Sequence, residues 1–229
     1  MLESFKEEVL EANLSIVKQG LVIHSWGNVS GREPGTGYIV IKPSGVSYAK
    51  MKISDMVVLD LKGNIIEGKR KPSTDTPTHL ALYRAWPAVG GIVHTHSTYA
   101  TAWSQAGRGI PPLGTTHADT FYGEVPCTRK LKPEEIKTNY EENTGRVIIE
   151  RIGSTDPLFM PSVLVNCHGP FSWGKDPEEA VYNAVTLEEV ARMAFYTVLL
   201  GNQKAIDREL LDKHFLRKHG KDAYYGQDK

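Results

Sequence analysis

Cysteine and long apolar runs are scarce in this sequence of 229 residues. Only Cys127 and Cys167 are present, which excludes a disulfide scaffold and is typical of a reducing compartment. We expect both to be inert buried thiols. No stretch approaches the roughly 18 apolar residues that span a bilayer, and residues 1–8 mix charges without the apolar core of a signal peptide. The sequence therefore predicts a cytoplasmic protein that does not insert into a membrane.

An excess of charge of one sign is also missing. Lys and Arg total 27, Asp and Glu total 27, and the formal net charge is zero. Basic residues form only short clusters such as 69–71, whereas nucleic-acid-binding proteins usually carry a basic excess or stripe. Repeats and low-complexity segments are absent too. We therefore expect no nucleic-acid partner and a single domain over residues 1–229, although this length would also suit two small domains.

Helical and strand-like patterns interleave along the chain. Helices are predicted over residues 2–18, from 75 to 86, 99–105, most of 133–152, 177 to about 200, and about 204 to 218. Short β-branched runs predict strands over residues 38–41, 56–59, 90–96 and 163–168. Residues 26–30 are predicted to form turns. The interleaving favours an α/β or α+β class in which helices cover a sheet.

Histidines at the ends of two apolar runs indicate a metal site. His94 and His96 are two residues apart on a predicted strand, so both imidazoles face the same way. His168 ends a second apolar run, and Asp75 could add a carboxylate from the start of its helix. Such a donor set suits Zn²⁺. Each histidine taken singly would more often be a hydrogen-bonded core residue, but three together favour the metal.

Two further histidines have spacings that would also permit ligation. His79 follows Asp75 by four residues on the same helical face, and His117 precedes Asp119 by two. We interpret both as structural residues or as partners that orient the metal ligands.

Small polar loops supply candidate anion contacts. The segments 27–28, 42–45 and 72–74 offer hydroxyl groups and free backbone N–H groups. Ser73 and Thr74 directly precede the predicted helix at Asp75, whose N-terminus favours anions, and Lys42 could add a positive charge. Ordinary turns and a helix cap are the alternative reading. Together with a metal site, these loops indicate a phosphate-binding pocket.

Asp119 and the C-terminal residues are the remaining candidates. Asp119 lies in the polar segment 114–119, where it is either a positioned acid or base or a turn-stabilising residue. The segment 211–229 contains His214, Arg217 and Tyr225, which are unusual for a frayed end. We expect this tail to pack against its own or a neighbouring subunit.

Taken in order, these motifs resemble the L-ribulose-5-phosphate 4-epimerases, which belong to the class II sugar-phosphate aldolase family. The resemblance covers essentially the whole chain and is carried by residues 26–30, 42–46, 71–79, 90–97, 114–119, 168–171 and 211–226. Thr74 departs from the pattern, where a second serine is expected, but it keeps a hydroxyl and an N–H. The resemblance implies a single-domain, three-layer α/β/α sandwich with a largely antiparallel central sheet. It also implies a homotetramer in which the tail, about residues 211–229, contributes to active sites between subunits.

The same resemblance assigns residue roles. One Zn²⁺ per subunit is implied, held by His94, His96, His168 and Asp75. The implied substrate and phosphate contacts are Gly27, Asn28, Lys42, Ser44, Gly45, Ser73, Thr74, Thr115, Glu141, His214 and Arg217. Asp119 and Tyr225 match the acid/base pair, with Tyr225 supplied by a neighbouring subunit.

The implied reaction converts L-ribulose 5-phosphate to D-xylulose 5-phosphate by breaking and re-forming the C3–C4 bond with the help of the metal. A class II aldolase that releases the aldehyde is the nearest alternative. Those aldolases tend to carry Glu where this chain has Asp75, which favours the epimerase. A non-catalytic module with this fold is the other alternative, although such a protein would not need the histidines or Asp119.

Overall fold

The computed structural model describes residues 2–201, 203–219, 221 and 223–225. Its helices are α1 Glu3–Lys18, α2 Thr76–Ala85, α3 Thr98–Ala106, α4 Thr115–Ala118, α5 Pro133–Lys137, α6 Tyr140–Ile152, α7 Pro177–Leu199 and α8 Arg208–His219. Its strands are β1 Gly27–Arg32, β2 Ile39–Ile41, β3 Val57–Leu59, β4 Ile65–Glu67, β5 Gly91–Thr95, β6 Ser162–Val165 and β7 Gly169–Gly174. Among the described helices, none has the length and apolar character needed to cross a bilayer.

The seven strands form one sheet in the order β4-β3-β2-β1-β5-β7-β6. Every neighbouring pair is antiparallel. At the centre, Asn28 of β1 lies opposite His94 of β5, and His94 lies opposite Phe171 of β7. This register places polar and aromatic side chains from three central strands side by side.

Helices cover both faces of the sheet. On one face, Val29 and Val93 pack with Ile16 of α1 and Ala184 of α7. On the other face, His79 and Tyr83 of α2 contact the sheet, and α6 packs on α2. The predicted single-domain α/β/α sandwich with an antiparallel central sheet is therefore confirmed.

Several helix boundaries follow from local chemistry. The Asp176 side chain accepts a hydrogen bond of 2.7 Å from the Glu179 amide, and Pro177 occupies the first turn of α7. Asp75 occupies the cap position of α2, as the sequence predicts. The helix expected from about residue 204 begins instead at Arg208. The polar stretch 133–152 divides into α5 and α6 at Asn139, whose φ of 52° lies in the left-handed region.

The turn prediction for residues 26–30 is wrong. These residues lie in or next to β1, a strand that is paired on both sides in the middle of the sheet. The sequence pattern did not indicate this strand because two of its six residues are glycines, which are unfavourable inside strands. A Cβ on Gly31 would come within 2.8 Å of Phe5 and Pro177, so glycine here permits α1 and α7 to approach closely.

The strand prediction for residues 163–168 is also wrong at its end. β6 stops at Val165, and residues 166–168 form the turn into β7, which the sequence pattern missed because it begins with Gly and Pro. Cys167 adopts a φ of 62° in this turn and is exposed, contrary to the expectation that both thiols are buried.

Candidate metal centre and active site

Three histidines converge at one end of the central strands β5 and β7. His94 belongs to β5, His96 lies one residue beyond its end, and His168 lies in the turn that enters β7. Because β7 pairs with β5, this turn is carried to the end of β5. One ring nitrogen from each histidine falls within 4.8 Å of the other two, and the Nε2 atoms of His94 and His96 are 3.2 Å apart.

The hydrogen bonds of His94 fix its tautomer. Its Nδ1 lies 2.9 Å from the Pro170 carbonyl oxygen, which can only accept, so Nδ1 carries the proton and Nε2 keeps its lone pair. The ring of Phe171 stacks on His94 with centroids 4.2 Å apart and an angle of 16°. His94 is thus held in one orientation with Nε2 facing His96.

The electrostatics favour neutral imidazoles. Burial, reinforced by His94 and His96, lowers the pKa of His168 to about 3. Desolvation and the neighbouring His94 also lower the pKa of His96. Neutral rings with free lone pairs are what a divalent cation needs, since metal binding competes with protonation. The three-histidine donor set therefore fits an ion such as Zn²⁺.

Gly169 allows the His168 turn to approach β5. A Cβ at this position would lie 2.8 Å from the Thr95 carbonyl oxygen and 3.7 Å from the His94 ring. Any larger residue would push the turn away from β5, and the imidazole of His168 with it.

Asp75 lies next to the histidines but outside the group of converging ring nitrogens. Asn28 donates a hydrogen bond of 2.6 Å to its carboxylate. Burial by itself raises the pKa of this carboxyl, but His94, His79 and the amide outweigh that effect and hold the pKa below its usual value. A carboxylate that stays charged next to the imidazoles is available to a cation, and its role as a ligand stays a prediction.

A buried network of side-chain hydrogen bonds lies next to this region. The Ser30 hydroxyl lies 2.7 Å from Nδ1 of His79 and 2.9 Å from the Tyr83 hydroxyl. Burial lowers the pKa of His79 to about 3, and its Nε2 has no hydrogen-bond partner among the described residues. His79 is not part of the three-histidine group. Neither is His117, whose Nε2 lies 2.6 Å from the Gly123 carbonyl oxygen.

The two predicted phosphate loops are joined to each other. The Ser44 amide donates to the Lys71 carbonyl at 2.9 Å, and the Ser73 amide donates to the Lys42 carbonyl at 3.0 Å. The loops therefore lie together directly before α2. Ser44, Gly45 and Thr74 are exposed, whereas Ser73 is buried.

Lys42 has a buried ammonium group next to these loops. Burial lowers its pKa, and the opposite charge of Asp75 partly compensates. Its Nζ donates to the Pro43 carbonyl at 3.3 Å and lies 4.9 Å from the centre of the Tyr48 ring. A sparsely hydrogen-bonded ammonium in this position suits an anionic ligand.

Asp119 forms a second cluster with the C-terminal helix α8. Its carboxylate accepts from Arg217 at 2.9 Å, and it lies 3.0 Å from Nδ1 of His214 and 3.2 Å from Nζ of Lys218. Partial burial alone raises the pKa of this carboxyl, but the three basic partners lower it overall. Thr115 is at the start of α4, where its carbonyl accepts from the Asp119 amide.

Tyr225 lies against the same helix. Its exposed ring lies 4.9 Å from the Arg217 guanidinium and 4.5 Å from Nζ of Lys218. The tail predicted over 211–229 also includes residues 220, 222 and 226–229, which lie outside the described residues. The contribution of Tyr225 to a neighbouring subunit stays a prediction.

The candidate residues thus fall into two groups. Glu141 lies in the first turn of α6, where its backbone carbonyl accepts from the Thr78 hydroxyl, and its substrate contact stays a prediction. Tyr140, directly before it, has its hydroxyl 3.3 Å from Nδ1 of His168. Among the described residues, no hydrogen bond or ion pair joins the Asp119 cluster to the three histidines. The sequence interpretation missed Tyr140 and Lys218, for which no local motif gave a signal.

The structure thus combines an α/β/α sandwich with three converging histidines that could hold a metal ion. A family model described as "Class II Aldolase and Adducin N-terminal domain" matches residues 7–195. The chain belongs to this family.

Several solved structures share this fold. An L-fuculose 1-phosphate aldolase superposes with a TM-score of 0.79 at 23% identity, covering 92% of this chain and 94% of that one. The L-fuculose-1-phosphate aldolase from Thermus thermophilus is 25% identical, with a TM-score of 0.67 over 88% of this chain and 100% of that one. YgbL from Klebsiella pneumoniae, a putative aldolase/epimerase/decarboxylase, is 26% identical, with a TM-score of 0.73 over 93% and 99%.

Proposed function

We propose that this protein is an L-ribulose-5-phosphate 4-epimerase that acts by retro-aldol cleavage and re-formation of the C3–C4 bond. The observation that carries the proposal is the convergence of His94, His96 and His168 beside Asp75. The epimerase branch, rather than an aldolase, is favoured by Asp75 itself and by the motifs that extend into the tail.

The metal centre is the first part of the proposal. His94, His96 and His168 would hold one Zn²⁺, and Asp75 would complete the site in the absence of substrate. A bound divalent cation supplies Lewis-acid stabilisation of the negative charge that develops on the substrate oxygens. The lowered pKa values of His96 and His168 favour neutral rings, and the lowered pKa of Asp75 favours an ionised carboxylate, as cation binding requires.

The phosphate of the substrate would be held by the paired loops before α2. Ser44, Gly45, Ser73 and Thr74 offer hydroxyl and amide donors, and Lys42 offers a charge. Gly27 and Asn28 would line the pocket from the start of β1. An anchored phosphate retains the aldehyde fragment while its carbonyl group turns, so the second addition can occur on the opposite face.

The proton transfers would be carried out by Asp119 and Tyr225. When the C3–C4 bond breaks, a base removes the C4 hydroxyl proton and the bonding electrons remain with the dihydroxyacetone enediolate, leaving glycolaldehyde phosphate. When the bond re-forms, an acid on the other face protonates the new C4 alkoxide. Ionised Asp119 suits the first role, and the phenol hydroxyl of Tyr225 can donate a proton in the second. Exchange with solvent then restores both groups.

The separation of the two clusters supports a site between subunits. The Asp119 cluster, with Thr115, His214 and Arg217, has no polar bond to the described histidines of its own chain. A homotetramer that brings the tail of one subunit to the histidines of the next would complete the site. The exposed apolar residues Leu199 and Leu200, which are 68% and 88% exposed at the end of α7, suit such a contact.

The test is a product assay on L-ribulose 5-phosphate with and without a chelator. We expect D-xylulose 5-phosphate to form, and we expect activity to be lost with the chelator and regained with Zn²⁺. His96→Asn should abolish the activity. His24→Asn is a matched control, because His24 lies outside the group and its φ of 57° is one that Asn tolerates.

A class II aldolase is the second candidate, and the similarity to two L-fuculose 1-phosphate aldolases favours it. An aldolase would release free glycolaldehyde phosphate and dihydroxyacetone instead of retaining them. Accumulation of these fragments without xylulose 5-phosphate would refute the epimerase. If the native protein contains no stoichiometric divalent ion and turns over neither substrate, a non-catalytic module is the better description.

A further inference from the structure

We propose that the Tyr140 hydroxyl is a positioning group that fixes the orientation and tautomer of His168 in the metal centre. This inference rests on the metal centre of the proposed function, and it adds a residue that no motif in the sequence indicated. The Tyr140 oxygen lies 3.3 Å from Nδ1 of His168, and the two rings are inclined by only 29°.

The backbone around Tyr140 is held firmly. Asn139 directly before it adopts a φ of 52°, and the chain there turns sharply into α6. The Asn143 side chain donates to the Thr138 carbonyl at 2.7 Å and to the Glu135 carbonyl at 3.0 Å. The Thr144 hydroxyl donates to the Tyr140 carbonyl at 2.9 Å. These hydrogen bonds fix the backbone position from which the Tyr140 side chain extends.

The hydrogen-bonding pattern matches that of His94. In His94 the Nδ1 proton is donated to the Pro170 carbonyl, which leaves Nε2 as the electron-pair donor. The Tyr140 oxygen can accept the Nδ1 proton of His168 in the same way, which leaves Nε2 of that ring as the donor. Metal-bound imidazoles almost always have such an acceptor on the other nitrogen.

His168 depends on this contact more than His94 does. His94 is buried in a strand and stacked on Phe171, whereas His168 lies in a turn and is only half-buried. The backbone of His168 is not paired in the sheet, and Phe171 meets its ring edge-on with centroids 6.1 Å apart rather than stacking on it. The Tyr140 hydroxyl is the hydrogen-bond partner of its Nδ1 among the described residues, so this contact bears directly on the orientation of the ring.

The test compares Tyr140→Phe with the parent protein by titrating Zn²⁺ against a chromophoric chelator and recording the absorption of the Co²⁺-loaded form. Phe keeps the ring and removes only the hydroxyl. We expect affinity to fall by about 10- to 100-fold, the Co²⁺ spectrum to change, and the metal-free protein to unfold at the parent's denaturant midpoint. Tyr99→Phe is the control, because the Tyr99 hydroxyl contacts only Tyr196 among the described residues, and it should change none of these.

The outcomes separate this inference from the proposed function. Equal affinity and an identical Co²⁺ spectrum for Tyr140→Phe overturn the positioning role while leaving the metal centre intact. A parent protein that binds neither ion overturns the metal centre, and this inference with it. A weakened affinity accompanied by an equal loss of metal-free stability assigns Tyr140 to packing alone and also overturns the proposal.

Discussion

At the scale of single residues, the chemistry of the site depends on which groups stay neutral and which stay charged. Burial and neighbouring rings depress the pKa of His168, so its ring can bind a cation. The ionised state of Asp119, in contrast, is stabilised by His214, Arg217 and Lys218. The histidine cluster thus offers electron-pair donors to a cation, and the Asp119 cluster offers a carboxylate that can accept a proton.

Replacing Asp119 with Asn tests the proton acceptor. Asn has nearly the same shape but cannot take a proton, so we expect turnover of L-ribulose 5-phosphate to fall by about 100- to 10,000-fold while zinc content stays at one per subunit. Steady-state kinetics and metal analysis of the same sample are the measurements. Asp212→Asn is the control, since Asp212 of α8 accepts a hydrogen bond from Tyr122 and pairs with Arg208 without belonging to the Asp119 cluster. Turnover of the Asp119→Asn enzyme equal to that of the control would remove Asp119 from the mechanism.

At the scale of elements, close backbone approaches set the positions of the ligands. Gly91 at the start of β5 faces the first turn of α7, where an added Cβ would meet the Asp176 carbonyl oxygen at 2.2 Å and Pro177 at 2.6 Å. These are backbone atoms, which cannot swing aside as a flexible side chain can. The close packing of β5 against α7 therefore requires glycine at position 91, and the position of His94 depends on this packing.

Gly91→Ala should consequently destabilise the protein strongly. Because β5 or α7 must move, we expect the free energy of unfolding of the metal-free protein to fall by about 3 kcal/mol, measured by urea denaturation. Gly114→Ala provides the comparison, since an added Cβ there meets nothing within 4 Å and the φ of −165° suits any residue. Equal denaturation midpoints for the two variants would contradict the packing argument.

At the scale of the whole molecule, the proposed active site would be complete only if the Asp119 cluster of one subunit met the histidines of another. Tyr225 lies beside Arg217 and Lys218 on α8, and these residues belong to the Asp119 cluster. The proposal of shared sites requires that this surface of one subunit face the histidines of another.

Mixing two inactive variants tests this arrangement. Subunits with Tyr225→Phe keep the histidines, and subunits with His96→Asn keep the tyrosine, so a hybrid contains some sites with both groups. If pairing is random, we expect about one quarter of the sites to be intact. Differently tagged subunits purified as mixed oligomers and assayed for turnover provide the measurement. Verified hybrids without activity would show that Tyr225 does not act across an interface.

Local features of the sequence were sufficient for part of the site. The spacing of His94 and His96 follows from the two-residue period of a strand, and Asp75 followed by Pro77 marks the start of a helix. Both predictions agree with the structure, where the two Nε2 atoms are 3.2 Å apart and Asp75 occupies the cap position of α2. Such features depend only on neighbouring residues and so can be recognised without the fold.

Other parts were decided only by the tertiary structure. The glycine-containing β1 is a strand because β2 and β5 pair with it on both sides, and not because of its own propensity. His168 meets the other histidines because β7, which the sequence pattern did not indicate, carries its turn to β5.

The sequence by itself determined that His94 and His96 share one face of a strand and that Asp75 begins a helix, and it predicted which side chains would carry the chemistry. Only the tertiary structure decided that Tyr140 meets His168 and that Asp119 meets the helix almost one hundred residues later. The physical reason is that strand order and register arise from burial and hydrogen bonding across the whole domain. A pattern of neighbouring residues specifies a local conformation but not its distant partner.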